Sequence, residues 1–251
     1  MSQNKYDLFF DPPVMNVSGT LGFAPRVPEQ FLGAFVTNPI SLFARKPAHG
    51  TRYIPYAGGF LLHTGFPNPG IKRVIKNYAR VWSASKIPII VHLLAQNKAE
   101  IVEMIAYLED VEGILAVEIG LPPDIDSGIA QSMGMAAQGE FAVILRIPFD
   151  AALSTVQAAF DSGVAMVSMA PPRGILSDDQ DAMISGRLFG PGILPLALRT
   201  IQRWKQIGGS VIGAGGIYHP QDVDAMVQAG AAAVQIGPVL WKRDASFSGL
   251  N

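Results

Sequence analysis

Two glycine-bearing turns near the end of the chain carry the strongest chemical signal. Residues 211–220 read Val-Ile-Gly-Ala-Gly-Gly-Ile-Tyr-His-Pro, and residues 231–240 read Ala-Ala-Ala-Val-Gln-Ile-Gly-Pro-Val-Leu. The pattern is a short buried strand, a Gly-rich turn, a helix of about ten residues and a second apolar strand ending at Gly237. Gly215, Gly216 and Gly237 let a phosphate approach bare backbone, where successive N–H groups form an anion nest. In a (β/α)8 barrel the phosphate of a substrate or cofactor sits at this place, after strands 7 and 8. The plainer alternative is that Gly215 and Gly216 make a tight turn and Gly230 caps a helix. Pro238 has no N–H and so removes one possible donor.

The rest of the chain supplies the elements such a nest requires. Residues 13–19 read as a first strand, 33–37 as a second, and 50–63 as a hairpin laid over the barrel mouth. A short helix is expected near 29–32. Residues 69–82 have helical periodicity, with Ile71, Val74, Ile75, Tyr78 and Val81 on one side. Strands at 87–94, 113–119, 141–147 and 165–169 then alternate with helices at 98–108, 125–137 and 151–162. A long loop is expected over 170–190, then a helix over 192–207 and a strand over 210–213. Eight strands buried on both faces and joined by helices are the mark of a parallel α/β fold. The reading is a single (β/α)8 TIM-barrel domain over residues 1–251, with a hairpin over its mouth and a truncated last helix.

Composition agrees with that class. The 251 residues are 49% hydrophobic and only 16% charged, so a large core is expected. The net charge of −1, without a basic block, argues against nucleic acid as a partner. No apolar run reaches the roughly 18–20 residues of a membrane span. With no cysteine there is no thiol nucleophile and no zinc–thiolate site, and no metal site is expected. The N-terminus has no apolar leader-like stretch, which makes a cytoplasmic location the expectation.

Five fragments in order resemble the dihydroorotate dehydrogenase family of FMN-binding barrels, most closely its class 1 members. They are 16–20 (Asn-Val-Ser-Gly-Thr), 33–38 (Gly-Ala-Phe-Val-Thr-Asn), 52–70 ending in Thr-Gly-Phe-Pro-Asn-Pro-Gly, 189–198, and 211–237. The resemblance implies FMN, with its phosphate held by Gly215, Gly216 and Gly237 and with Gly192 nearby. It implies an isoalloxazine over strand ends that carry Val17, Ser18, Gly19, Asn38, Arg146 and Ser168. It also implies a small-molecule substrate.

The departures from the family pattern shape the expected chemistry. Asn38 stands where the family has a lysine at the end of strand 2. The strand 4 run Glu118-Ile-Gly-Leu-Pro-Pro-Asp124 lacks the family's asparagine and its cysteine or serine base. Leu62, with His63 beside it, replaces the hairpin asparagine, and Ser168 stands where strand 6 usually has asparagine. Dihydroorotate oxidation needs a base at C5 and amides that grip the ring. Their joint loss argues against that reaction.

The remaining candidates for catalysis are Arg146, His63 and Asn38. Arg146 replaces the strand 5 lysine and would stabilise anionic reduced flavin; alternatively it pairs with Glu118 or Asp150. His63 either donates a proton to a substrate or is a surface histidine. His92 is at the end of strand 3 and is either functional or a satisfied core residue. Asp124 either acts as a base or, the favoured reading, caps the next helix. Arg173 either clamps an anionic substrate or is solvated.

Three functions remain open. They are an FMN-dependent oxidoreductase with another substrate, a catalytically inactive partner subunit, and a flavin-free barrel for a phosphorylated ligand. The short C-terminal segment leaves apolar surface, with Trp241 and Phe247 as candidates, so a homodimer or heteromer is expected.

Overall fold

The protein is described by a computed structural model covering residues 7–25, 31–50 and 52–241. The expected helix at 29–32 lies largely outside the described residues, as do Phe247 and the segment following Trp241. The staves of the barrel, in chain order, are β1 (Val14–Asn16), β2 (Phe35–Val36), prolonged by β3 (Ile40–Ser41), and then six longer strands after an excursion. The excursion is a hairpin of β4 (Tyr53–Tyr56) and β5 (Gly59–Leu62), followed by α1 (Ile71–Ser83). Next come β6 (Ile89–Leu94), α2 (Lys98–Ala106), β7 (Ile114–Gly120), α3 (Ser127–Ala136), β8 (Ala142–Ile147), α4 (Leu153–Asp161) and β9 (Met166–Met169). A second hairpin, β10 (Arg173–Ser177) and β11 (Met183–Phe189), precedes α5 (Leu194–Lys205), β12 (Ser210–Ala214), α6 (Pro220–Ala229) and β13 (Ala233–Ile236).

The parallel sheet runs in the order β1-β13-β12-β9-β8-β7-β6-β2, and a bridge between Met15 and Ala34 joins its two ends. Asn16 reinforces that seam. Its side chain donates to Val36 O at 2.7 Å and accepts from Val36 N at 2.9 Å, which substitutes for a missing pair of ladder bonds. Barrel, order and alternation follow the sequence reading. Among the described residues no helix is long and apolar enough to cross a membrane.

The period of two along each strand divides the core. Outward-facing Val91, Leu93, Val117, Ile119, Leu145 and Val167 pack under the helices. Inward-facing Met15, Ile90, Ala116, Ile144, Met166 and Ile212 fill the lower lumen. One layer higher the lumen turns polar, and that layer floors the site.

Three local expectations are corrected. Residues 170–190 are no loop: β10 and β11 form an antiparallel hairpin that pairs through β11 with β5, giving a four-stranded sheet in the order β10-β11-β5-β4. The helix read over 192–207 begins at Leu194, after a 3-10 turn at Pro191–Ile193. On α1 the buried face is Ile71, Val74 and Trp82, while Val81 is exposed, because Trp82 reaches across to donate to Phe23 O at 2.7 Å.

Candidate functional site

Strand register assembles the polar layer. Five of the staves carry one polar residue between two apolar neighbours: His92, Glu118, Arg146, Ser168 and Gln235. Register sets His92 opposite Glu118 and Arg146 opposite Ser168. Glu118 is fully buried at the centre. Its Oε1 accepts from Ser168 Oγ at 2.6 Å and from Gln235 Nε2 at 2.7 Å. Its Oε2 faces His92 Nδ1 at 2.5 Å and an Arg146 guanidinium nitrogen at 3.9 Å.

These contacts fix the charges. Burial alone would raise the Glu118 pKa, but the His92 hydrogen bond, the Arg146 charge and the Ser168 hydroxyl outweigh it and hold it at about 2. Burial dominates at His92 and keeps its pKa below the usual histidine value. The pair is therefore carboxylate and neutral imidazole, with Nδ1–H donating. The other ring nitrogen, Nε2, lies 2.9 Å from where a Cβ on Gly120 would stand. A side chain at 120 and an imidazole at 92 compete for one space, so the glycine in the strand 4 run and His92 belong together.

Above this floor are three connected spaces. The widest, about 560 Å³, is lined by His92, Gly120, Asp124, Arg146, Arg173 and Arg187 among others. A second, about 270 Å³, is lined by Val17, Ser18, Gly19, Asn38, Arg146 and Trp241 among others. Arg146 borders both and so stands at their junction. The third is the glycine nest, about 30 Å³, bounded by Val17, Gly190, Gly215, Gly216, Gly237 and Pro238 with their neighbours.

The nest suits a phosphate by construction. Gly215 and Gly216 have φ of 109° and 79°, in the left-handed region that favours glycine. A Cβ at Gly216 would lie 2.2 Å from Leu194 N, the first residue of α5. Bare backbone and the start of α5 thus meet here, with the Leu194 N–H itself spent on Pro191 O. A volume of about 30 Å³ is water-sized, so a phosphate bound here would require the residues around the nest to move apart. For an isoalloxazine the telling observation is Arg146, whose buried Nε has no hydrogen-bond partner. A bound heterocycle with ring acceptors would satisfy it, and the residues present fit FMN on both counts.

The structure brings most of the expected site residues together. Val17 borders both nest and second cavity, and Gly19 and Asn38 line the latter. Asn38 is pinned through its backbone N and its Oδ1 to Gly22, at 2.6 and 3.1 Å. The Ser18 hydroxyl is spent on Thr37 O at 2.8 Å, leaving its backbone toward the cavity. Other candidates are placed differently. Ser168 is beneath the cavities with its hydroxyl committed to Glu118. Gly192 is exposed with nothing near it, and Gly190 borders the nest in its place. Leu62 and Thr64 line the second cavity but His63 between them does not, as strand alternation requires. Asp124 caps no helix: the N-cap of α3 is Asp126, accepting from Ile129 N at 2.7 Å, while Asp124 lines the wide cavity. His219 and Pro220 open α6 as expected, with Asp222 closing a capping box.

Arg187, Glu118 and Gln235 are the site residues that the sequence reading missed or left in a minor role. Arg187 was hidden by the misread loop, although Arg173-Gly-Ile-Leu-Ser and Met183-Ile-Ser-Gly-Arg-Leu-Phe around an acidic turn suit a hairpin. Its guanidinium is 4.0 Å from the Phe66 ring centroid and donates to Thr64 Oγ1 at 3.1 Å. Burial, then the charges of Arg146 and Arg173, lower its pKa to about 9. The site as a whole offers a phosphate nest, a cavity lined by charges of both signs and a neutral imidazole positioned by a buried carboxylate. Such a set can bind an anion and move one proton.

Comparison with known proteins bears on the family and the fold. The sequence model of the dihydroorotate dehydrogenase family matches residues 173–248. The chain is 30% identical over 262 residues to the dihydroorotate dehydrogenase B (NAD(+)) catalytic subunit of Pelobacter propionicus, covering 94% of this chain and 86% of that one. It is 27% identical over 250 residues to the corresponding subunit of Geobacter sp. strain M21, covering 90% and 82%. In fold it is similar to the DHODH of Eimeria tenella solved with ferulenol, with a TM-score of 0.75, 15% identity and coverage of 92% and 77%.

Proposed function

The chain belongs to the dihydroorotate dehydrogenase family, a family of flavin-dependent oxidoreductases, and from that premise we propose an FMN-dependent oxidoreductase acting on a small substrate other than dihydroorotate. One observation carries the reading. No asparagine or glutamine side chain lines the wide cavity, whereas three arginines and a histidine do. A ring gripped by neutral amides would meet charged partners there instead, arginines and the carboxylates of Asp124 and Asp150, which favours a different substrate.

In this reading Gly215, Gly216 and Gly237 hold the FMN phosphate. Val17, Ser18, Gly19 and Asn38 would line the place of the isoalloxazine, and Arg146, which borders both cavities, would be the cation beside it. A bound flavin would supply the hydride acceptor. Arg146, fixed by Glu118, is a permanent cation that favours the negative charge arising nearby. His92 takes the role first considered for His63. It presents Nε2 toward the wide cavity and can accept a substrate proton there, because Glu118 holds Nδ1–H and stabilises the imidazolium that forms. Ser168 and Gln235 fix the carboxylate in turn.

The experiment is the absorbance spectrum of the purified protein before and after denaturation, with FMN added to a second sample. Release of FMN supports the cofactor, and reduction of an artificial acceptor with small acids but not with dihydroorotate supports the substrate change. A colourless protein that ignores FMN would overturn the reading and favour a flavin-free phosphate barrel. An FMN-loaded protein that oxidises dihydroorotate would restore the family reaction.

A further inference from the structure

The charges around the wide cavity come in two signs and from two walls. Arg173 and Arg187 belong to the hairpin sheet, where they are direct cross-strand partners. Asp124 follows β7 and Asp150 follows β8, and these neighbouring staves bring both carboxylates to the barrel rim. Among the described residues the ion pairs are those of Glu118 with His92 and Arg146, so neither aspartate is paired with a hairpin arginine. The charges acting most on Arg187 are those of Arg146 and Arg173, which sets the aspartates apart from it. Depth separates the signs as well. Asp124 and Asp150 are exposed, whereas Arg187 is half-buried against the Phe66 ring.

With His92 neutral and Glu118 ionised, the cations Arg146, Arg173 and Arg187 balance the carboxylates of Glu118, Asp124 and Asp150. The cavity is therefore neutral in sum but polarised, positive under the hairpin sheet and negative at the rim. An anion or a cation alone answers one wall and is repelled by the other. A molecule that carries both signs answers each wall with a charge-assisted hydrogen bond. Leu94, Leu121, Phe149 and Ile175 also line this space, suited to a short carbon skeleton between two charged ends. We propose that the wide cavity takes a small zwitterion, an amino acid whose carboxylate is held by Arg173 and Arg187 and whose ammonium group is held by Asp124 and Asp150. The inference rests on the oxidoreductase reading and deepens it, naming the charge pattern of the substrate.

Calorimetric titration of the purified protein with γ-aminobutyrate, α-aminobutyrate, butyrate and butylamine tests it, because all four share one carbon skeleton. One or both amino acids bind saturably, and butyrate and butylamine bind at least about tenfold more weakly, each having lost one charge-assisted pair. Which amino acid binds better gives the spacing of the two charged ends. Arg187→Gln weakens the amino acid by about tenfold or more and does not weaken butylamine, with Arg187→Lys in between. Joint replacement by Asp124→Asn and Asp150→Asn weakens the amino acid to a similar extent yet tightens butyrate, a crossing that loosened packing would not produce. Amino acids that fail to bind, bind no better than butyrate and butylamine, or bind the variants unchanged would overturn the proposal. FMN content, read by absorbance in the same samples, separates the two ideas. A colourless protein that still binds an amino acid keeps the zwitterion site and sinks the flavin. A yellow protein indifferent to amino acids does the reverse.

Discussion

The glycine nest and the arginine-lined cavity lie under one hairpin sheet but are made of different materials. The nest is built on backbone: two left-handed glycines packed against the start of α5. The cavity is side chains: a histidine, three arginines and the carboxylate beneath them. A backbone site is specified by conformation, and a Cβ at Gly216 would run into Leu194. A side-chain site can be rebuilt one residue at a time on unchanged strands, as the pairing of Gly120 with His92 shows. The part that would grip a cofactor is thus the least free to vary, and the part that would select a substrate is the most free.

Substitutions on either side sharpen that contrast. The largest effect is expected in the nest. Gly216→Val places a branched side chain against Leu194 N in a backbone region that valine avoids, and the purified protein should carry no FMN by absorbance. Gly192→Ala, with open space around it, should carry as much FMN as wild type, and a loss there would move the nest boundary. On the cavity floor, Arg146→Met strips Glu118 of its nearby cation and should cost about 3 kcal/mol in urea unfolding, with Arg146→Lys in between.

Next comes a coupling. Gly120→Ala should destabilise by about 1–3 kcal/mol because the methyl meets His92. The same change in a His92→Ala background should be close to neutral; equal costs in both would break the claimed exchange of space. Acid acts in two stages. His92 is neutral in the fold below its usual 6.5, so the unfolded chain takes up its proton first and stability begins to fall below that pH. Glu118 adds stability above its usual 4.5 that is lost as pH falls toward about 2, and Glu118→Gln should abolish the second stage in urea midpoints measured against pH. The smallest effect is a cap. Asp126→Ala should cost about 1 kcal/mol, while Asp124→Ala should leave the melting temperature unchanged.

Much of the frame was legible. Strand–helix alternation and the glycine turns gave the barrel and the nest, because both are written in local residue types. The polar floor was also present in the sequence, as single polar residues inside apolar strands: Val91-His92-Leu93, Val117-Glu118-Ile119, Leu145-Arg146-Ile147, Val167-Ser168-Met169, Val234-Gln235-Ile236. What composition and spacing do not reveal is the register that makes one network of five separate strands. His63 and His92 show the cost of that. Each is a histidine near a strand end, and only the strand face distinguishes the one that lines a cavity. Arg187 was lost for another reason: reading residues 170–190 as one loop hides the local hairpin that pairs its strand with Arg173–Ser177.

The pairing of β11 with β5 spans a long stretch of chain, which has a consequence in time. Arg187 and Thr64 are joined across 123 positions, and Tyr56 reaches Phe189 across 133. Such contacts bring their loop-closure entropy to bear only after the intervening staves have folded. The hairpin sheet should therefore open as a unit smaller than the barrel. Its amides should exchange with deuterium before those of β7 and β8, and a ligand gripped from both sides should slow that exchange selectively.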